Sequence, residues 1–197
     1  MLTALPLFLL LCSVAILAVL RLKTPGAREH RHRRYRETAQ RVLVRLPELS
    51  SDGARLNYLR KINPYVFEEL LLLSFERQGM KVVRNRAYSG DGGLDGQVFI
   101  DGKRWLIQAK RYSRSISPQH ISAFAGLLSR EGCRGFFIHT GRTGQKSYGC
   151  LKVSPLISLI SGERLLSLLA GGQDWYCVTG DEVHATAKRY EKGVNRL

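Results

Sequence analysis

Three polar residues of unlike chemistry stand close together in SGDGGLDGQVFIDGKRWLIQAKRY, the stretch from Ser89 to Tyr112: Asp95, Gln108 and Lys110. Asp95 follows a glycine-rich turn. Gln108 and Lys110 flank small Ala109 in a run that reads as a strand, so both project from one face. A carboxylate, an amide oxygen and an ammonium on paired strands suit metal-assisted hydrolysis. Cleaving a phosphodiester needs a cation to offset transition-state charge, an activated water, and something to stabilise the leaving oxygen. A hard divalent ion takes oxygen ligands and needs only one or two carboxylates, water and substrate phosphate completing its shell. Asp95 would supply the carboxylate, Gln108 the amide oxygen and Ala109 a backbone carbonyl. Lys110 is placed to hold the attacking water or the scissile phosphate. Glu68, on a preceding helix, is chosen over Glu69 for a further contact, direct or through water.

Taken singly, each residue has a plainer reading. An aspartate in a glycine-rich turn commonly bonds its own backbone, and Asp91 is assigned to that chemistry. Gln-x-Lys on a strand is often a solvated face. Asp101-Gly102 is hairpin chemistry. What distinguishes the set is its order: helix glutamate, strand aspartate, then Gln-x-Lys one strand later. His120 reads as a helix-surface residue and His139 as a buried residue at a strand end; neither is assigned a role. Cys12, Cys133, Cys150 and Cys177 form no CxxC pair and show no Cys/His ligand spacing, which argues against zinc, and they read as free thiols.

The elements that must position these residues are legible in outline. Asn63 caps a helix from Pro64 to about Gln78, with Phe67, Leu70, Leu71, Ser74 and Phe75 at core spacing and Gly79 as its stop. Strands follow at Met80–Val83, near Leu94–Ile100 and near Arg104–Lys110. Ser117-Pro118 opens a helix to Arg130, ended by Gly132. Gly135–Thr140 reads as a strand buried on both faces. A short helix spans Gln145–Leu151, and a last one Glu163–Ala170. This order gives an α/β fold with a mixed central sheet, an antiparallel meander crossing over to a buried strand.

The chain of 197 residues carries a formal net charge of +15, which answers to nucleic acid or to anionic lipid. Leu2 to Leu20 is free of charge and long enough, at about 28 Å as a helix, to cross a bilayer. A cleaved signal peptide is the competing reading, but no Lys or Arg precedes the apolar run. The seven basic residues from Arg21 to Arg36 follow it, which places the body on the cytoplasmic side of a single-pass anchor in the inner membrane. The expected organisation is an anchor at 1–22, a basic juxtamembrane connector at 23–62, a domain at 63–172 and a tail at 173–197. The connector's arginines suit anionic headgroups better than DNA.

Phe67-Glu68, then Ser89-Gly90-Asp91-Gly92-Gly93-Leu94-Asp95, then Gln108-Ala109-Lys110-Arg111-Tyr112 resemble the Mrr-like restriction endonucleases of the PD-(D/E)xK nuclease superfamily. Gly135–Thr140 and Ser161–Leu166 echo the later segments of that family. The resemblance implies a restriction-endonuclease-like three-layer core, with Asp95, Gln108 and Lys110 as catalytic positions. It further implies Mg²⁺ (or Mn²⁺) as cofactor, no small-molecule cofactor, and DNA as substrate. Gln in place of the superfamily's usual acid is normal in this branch. Gly96 stands where relatives carry an apolar strand residue, which implies a distorted start to that strand. Arg111, Tyr112, Arg114, Arg142 and Lys146 would lie on the same edge and neutralise phosphates without reading bases. A double-strand break needs two active sites, so a homodimer is expected. The competing functions are a membrane-tethered DNA-binding module with a silent nuclease fold, and a membrane-surface scaffold that never meets nucleic acid.

Overall fold

The computed structural model describes residues 27–85 and 94–176. The apolar run Leu2–Leu20, the glycine-rich turn at 86–93 with Asp91, and the tail beyond Tyr176 lie outside them. Among the described residues no helix is long and apolar enough to cross a membrane. The chain divides into two compact units, Met1–Arg34 and Tyr35–Leu197, and the whole sheet belongs to the second.

The elements run α1 (Ala27–Arg45), a 3₁₀ turn (Leu46–Glu48), α2 (Asp52–Lys61), α3 (Pro64–Arg77), β1 (Lys81–Val83), β2 (Gly96–Ile100), β3 (Lys103–Lys110), α4 (Pro118–Glu131), β4 (Arg134–His139), α5 (Gln145–Lys152), β5 (Ile157–Ser161) and α6 (Gly162–Ala170). Five strands form one sheet in sequence order. β1, β2 and β3 are antiparallel, while β4 and β5 add in parallel through the crossover helices α4 and α5. The meander and crossover are those expected. The antiparallel turn is built as Asp101-Gly102 dictates, with φ of 49° and 74°, the left-handed pair that a tight hairpin requires.

Alternation along β3 sorts its side chains onto two cores. Trp105, Ile107 and Ala109 join Phe136, Ile138 and the helices α3 and α6 on one face. Leu106 joins Phe137 and the α4 residues Ile121, Phe124 and Leu128 on the other. The sheet is thus covered on both sides, a three-layer arrangement whose interior strand β4 is buried from Gly135 to His139. Asn63 accepts from the Tyr65 N–H at 2.9 Å and starts α3 where its cap predicts. Ser117 makes no such cap bond; its hydroxyl turns to Gln119 Oε1 at 2.5 Å instead.

The packed body is wider than 63–172. Ala39, Val42, Leu43 and Leu46 of the expected connector, with Leu59 of α2, are buried in the same core as the sheet. Pro47 lies in the 3₁₀ turn, and Leu49–Ser51 join it to α2, with Ser51 Oγ capping α2 through Ala54 N–H at 3.2 Å. At the other end Trp175, placed by sequence in the tail, is 1% exposed. Its ring meets Phe75 and Phe136 edge-on at 5.3 and 5.7 Å between centroids. Its indole N–H donates to Gln78 Oε1 at 2.8 Å and its carbonyl accepts from Arg164 Nη2 at 2.6 Å. β5 had no counterpart in the sequence reading. Replacing Trp175 with Ala therefore removes a buried keystone, and urea unfolding is expected to show a loss of about 3–5 kcal/mol.

Candidate active site

Asp95 stands one residue before β2 and is held by two hydrogen bonds to β3. Its N–H donates to Ile107 O at 2.9 Å, so Asp95 and Gly96 both face Ile107 at the strand entry. Its carboxylate Oδ2 accepts from Ala109 N–H at 2.6 Å, where the next rung would fall. In extended chain the N–H and C=O of one residue point the same way. The Ala109 carbonyl therefore faces the Asp95 side, where β2 has ended. Asn85 ties the two stems of the turn together by donating from Nδ2 to Leu94 O. Gln108 is buried and Lys110 half-buried, both on the β3 face that carries Leu106.

Gly96 explains how a helix glutamate reaches this point. The residue pairs with Ile107 in the strand register, and the Asp95 N–H bonds the same Ile107, a local irregularity at the strand entry. A Cβ on Gly96 would lie 2.7 Å from Leu72 Cδ2 of α3, inside contact distance. The missing side chain lets α3 settle directly on the strand that carries Asp95. The adjacent glutamates Glu68 and Glu69 of α3 then part company. Glu69, only 2% exposed, accepts from Arg84 Nε at 2.8 Å, and Arg84 also bonds Glu76. Glu68 is half-buried and sits in the field of the site. Burial pushes its carboxyl up to about 8, Asp95 adding to the rise while Lys110 and Arg111 oppose it. The deeper glutamate is thus a structural ion pair, and the one chosen from sequence is the one that feels Asp95 and Lys110. His139 is fully buried beside Lys110 in register; burial pushes its ring down to about 4, so it stays neutral.

The five expected phosphate contacts gather around the C-terminal ends of β3 and β4, with unequal freedom. Arg114 and Arg142 are exposed, and their segments are joined by Arg142 N–H donating to Arg114 O at 3.1 Å. Lys146 is exposed on α5, whose next residue, Ser147, donates to Ile116 O at 2.8 Å beside that junction. Tyr112 spends its hydroxyl on His120 Nδ1. Arg111 turns inward, donating from Nη1 to the Arg60 carbonyl at 3.0 Å. Arg60 in turn donates from Nε to Thr140 O at 2.9 Å. Sequence reasoning missed Arg60 and Arg84: the first lay in the supposed connector, and the second had no partner at any regular spacing. From Gly102 to Gly162 the chain carries ten Lys and Arg against one acid, Glu131, and Glu131 pairs with Arg104 at the far end of β3.

The family model Mrr_cat, described as Restriction endonuclease, matches residues 59–169. That is more than half the chain, and the chain belongs to this restriction endonuclease family. No curated protein and no solved structure matched. The start of the match, at Leu59, agrees with α2 being packed into the domain.

The donor set suits a hard divalent cation. Asp95 and Glu68 offer carboxylate oxygens, Gln108 an amide oxygen and Ala109 a carbonyl, with no sulfur or imidazole among them. Among the described residues no three His, Cys, Asp or Glu side chains gather into a softer site. The raised Glu68 pKa also sets a sign for pH dependence. Between about pH 4.5 and 8 the folded protein holds a proton that the unfolded chain has lost, so stability falls as pH rises through that window. In EDTA, Glu68→Gln is expected to melt above the unsubstituted protein at pH 8.5, the difference closing towards pH 4.5. Parallel Tm profiles for the two proteins would contradict this origin.

Proposed function

We propose that the protein is a divalent-metal-dependent DNA endonuclease whose active site is Glu68, Asp95, Gln108 and Lys110, tethered to the cytoplasmic face of a membrane by residues 1–22. The single observation that carries the chemistry is the Asp95 carboxylate seated on the Ala109 N–H, between the residues of Gln-x-Lys. That bond brings one carboxylate, one strand carbonyl and the Gln108/Lys110 pair to the same strand end. Membership of the restriction endonuclease family supports nuclease chemistry on DNA.

A bound Mg²⁺ or Mn²⁺ would offset charge on the transition state and lower the pKa of an attacking water. Asp95, Gln108 and the Ala109 carbonyl would hold it, with Glu68 contributing directly or through water. The Lys110 ammonium would hold the scissile phosphate or the attacking water, which needs a fixed cation on the substrate side. The acid-poor surface from Gly102 to Gly162 would bind the duplex through its phosphates.

The full-length chain, kept in mild detergent, is expected to nick supercoiled plasmid with Mg²⁺ and not in EDTA. Lys110→Ala should lower the rate at least ~100-fold. Salt-dependent DNA binding without cleavage under any divalent ion would instead select the silent-fold reading, in which the module holds DNA near the bilayer. The anchor has its own test. The chain should remain with membranes in high salt, and a chain lacking residues 1–22 should be released.

A further inference from the structure

Arg60 of α2 reaches the C-terminal edge of the sheet, and its bonding is incomplete in an informative way. Its Nε donates to Thr140 O at 2.9 Å, and this is its one side-chain bond among the described residues. The terminal Nη1 and Nη2 groups are left over, on a half-buried residue with no acid paired to it. A guanidinium fixed through Nε presents its outer edge as a fork, the geometry that matches a phosphate bidentately.

The surroundings point the same way. The Arg60 carbonyl accepts Arg111 Nη1 at 3.0 Å, which ties the Arg111 guanidinium to the backbone of the residue that carries the other. Arg111 Nε is buried and without a partner among the described residues. Neither guanidinium is ion-paired among the described residues, although Arg111 lies in the field of Glu68, so an anion brought to them would meet cations without a bonded counter-charge. Thr140 completes the frame: its N–H donates to Lys110 O at 3.3 Å, and its hydroxyl both accepts from Tyr112 N–H and donates to Tyr112 O, each at 3.1 Å. Arg60 is thereby fixed relative to Lys110 through a single residue, Thr140.

We propose that Arg60 and Arg111 form a two-guanidinium clamp for a backbone phosphate of the DNA, next to the phosphate that Lys110 faces. The clamp rests on the DNA-cleaving reading and adds to it a substrate contact from outside the sheet. Arg60 sets where the duplex lies, while Lys110 acts on the bond that breaks. Arg111 is then a clamp member anchored from within, and no longer a free surface cation.

The test is the salt dependence of binding of the full-length chain to a short duplex in EDTA, where cutting cannot confuse the measurement. Each phosphate contact contributes about −0.9 to the slope of log K against log salt. Arg60→Gln, which keeps a donor for Thr140 O, is expected to flatten the slope by about one and to weaken binding about tenfold at moderate salt. Arg60→Lys should restore the slope, and Lys103→Gln, at the opposite end of β3, should leave it unchanged. A lower Tm for Arg60→Gln with an unchanged slope would make Arg60 a staple between α2 and β4 and overturn the clamp. Equal flattening by Lys103→Gln would also overturn it. If the unsubstituted chain binds no duplex at low salt, the nuclease reading fails first and takes the clamp with it. Binding with the full slope in Arg60→Gln refutes the clamp alone.

Discussion

The hydrogen bond from Ala109 N–H to the Asp95 carboxylate is the constraint on which the site depends. β2 ends one residue too early to supply a backbone partner for Ala109, and the aspartate side chain takes that place. A buried N–H left unmade costs more than an ordinary hydrogen bond returns, so the substitution is strongly enforced. The result is a carboxylate fixed beside Gln-x-Lys by the same ladder that defines the sheet. Little of the geometry is left to loop flexibility.

Around that bond the molecule separates two kinds of charge. Carboxylates that only need to hold the fold are consumed in pairs, as Glu69 and Glu76 are by Arg84. Glu68, with no guanidinium of its own, keeps a carboxyl that burial holds protonated near neutral pH. Cations follow the converse rule. Arg104 is paired with Glu131 at one end of the sheet, while Arg114, Arg142 and Lys146 have no acid paired to them among the described residues. Cations left without an acid at the C-terminal ends of β3 and β4 can attract an anionic substrate there.

Much of this was legible in the residues because the signals were local. Asn63-Pro64, Asp101-Gly102 and the two-face burial of Gly135–His139 each specify their own conformation within a few positions. Gln108 and Lys110 share a face by simple alternation. What escaped was non-local. Ile157–Ser161 carries serines at positions 158 and 161 that blur its alternation, and it is a strand because β4 lies ready beside it in parallel. α2 looks like part of a basic connector until Leu59 and Arg60 are seen meeting the domain. Trp175 is isolated in sequence from Phe75 and Phe136, its partners. The second role of Gly96 also escaped, because it serves a neighbouring helix that only the fold brings to it.

That glycine gives the protein a mechanical linkage. Leu72, which rests on Gly96, lies one helical turn beyond Glu68 on the same rigid rod, so the gap between helix and strand sets how far the glutamate stands from the aspartate. Any swelling of the core beneath α3 would be transmitted as a displacement of a reactive group, without touching that group. The position with no side chain acts as the spacer between α3 and the strand entry beside Asp95.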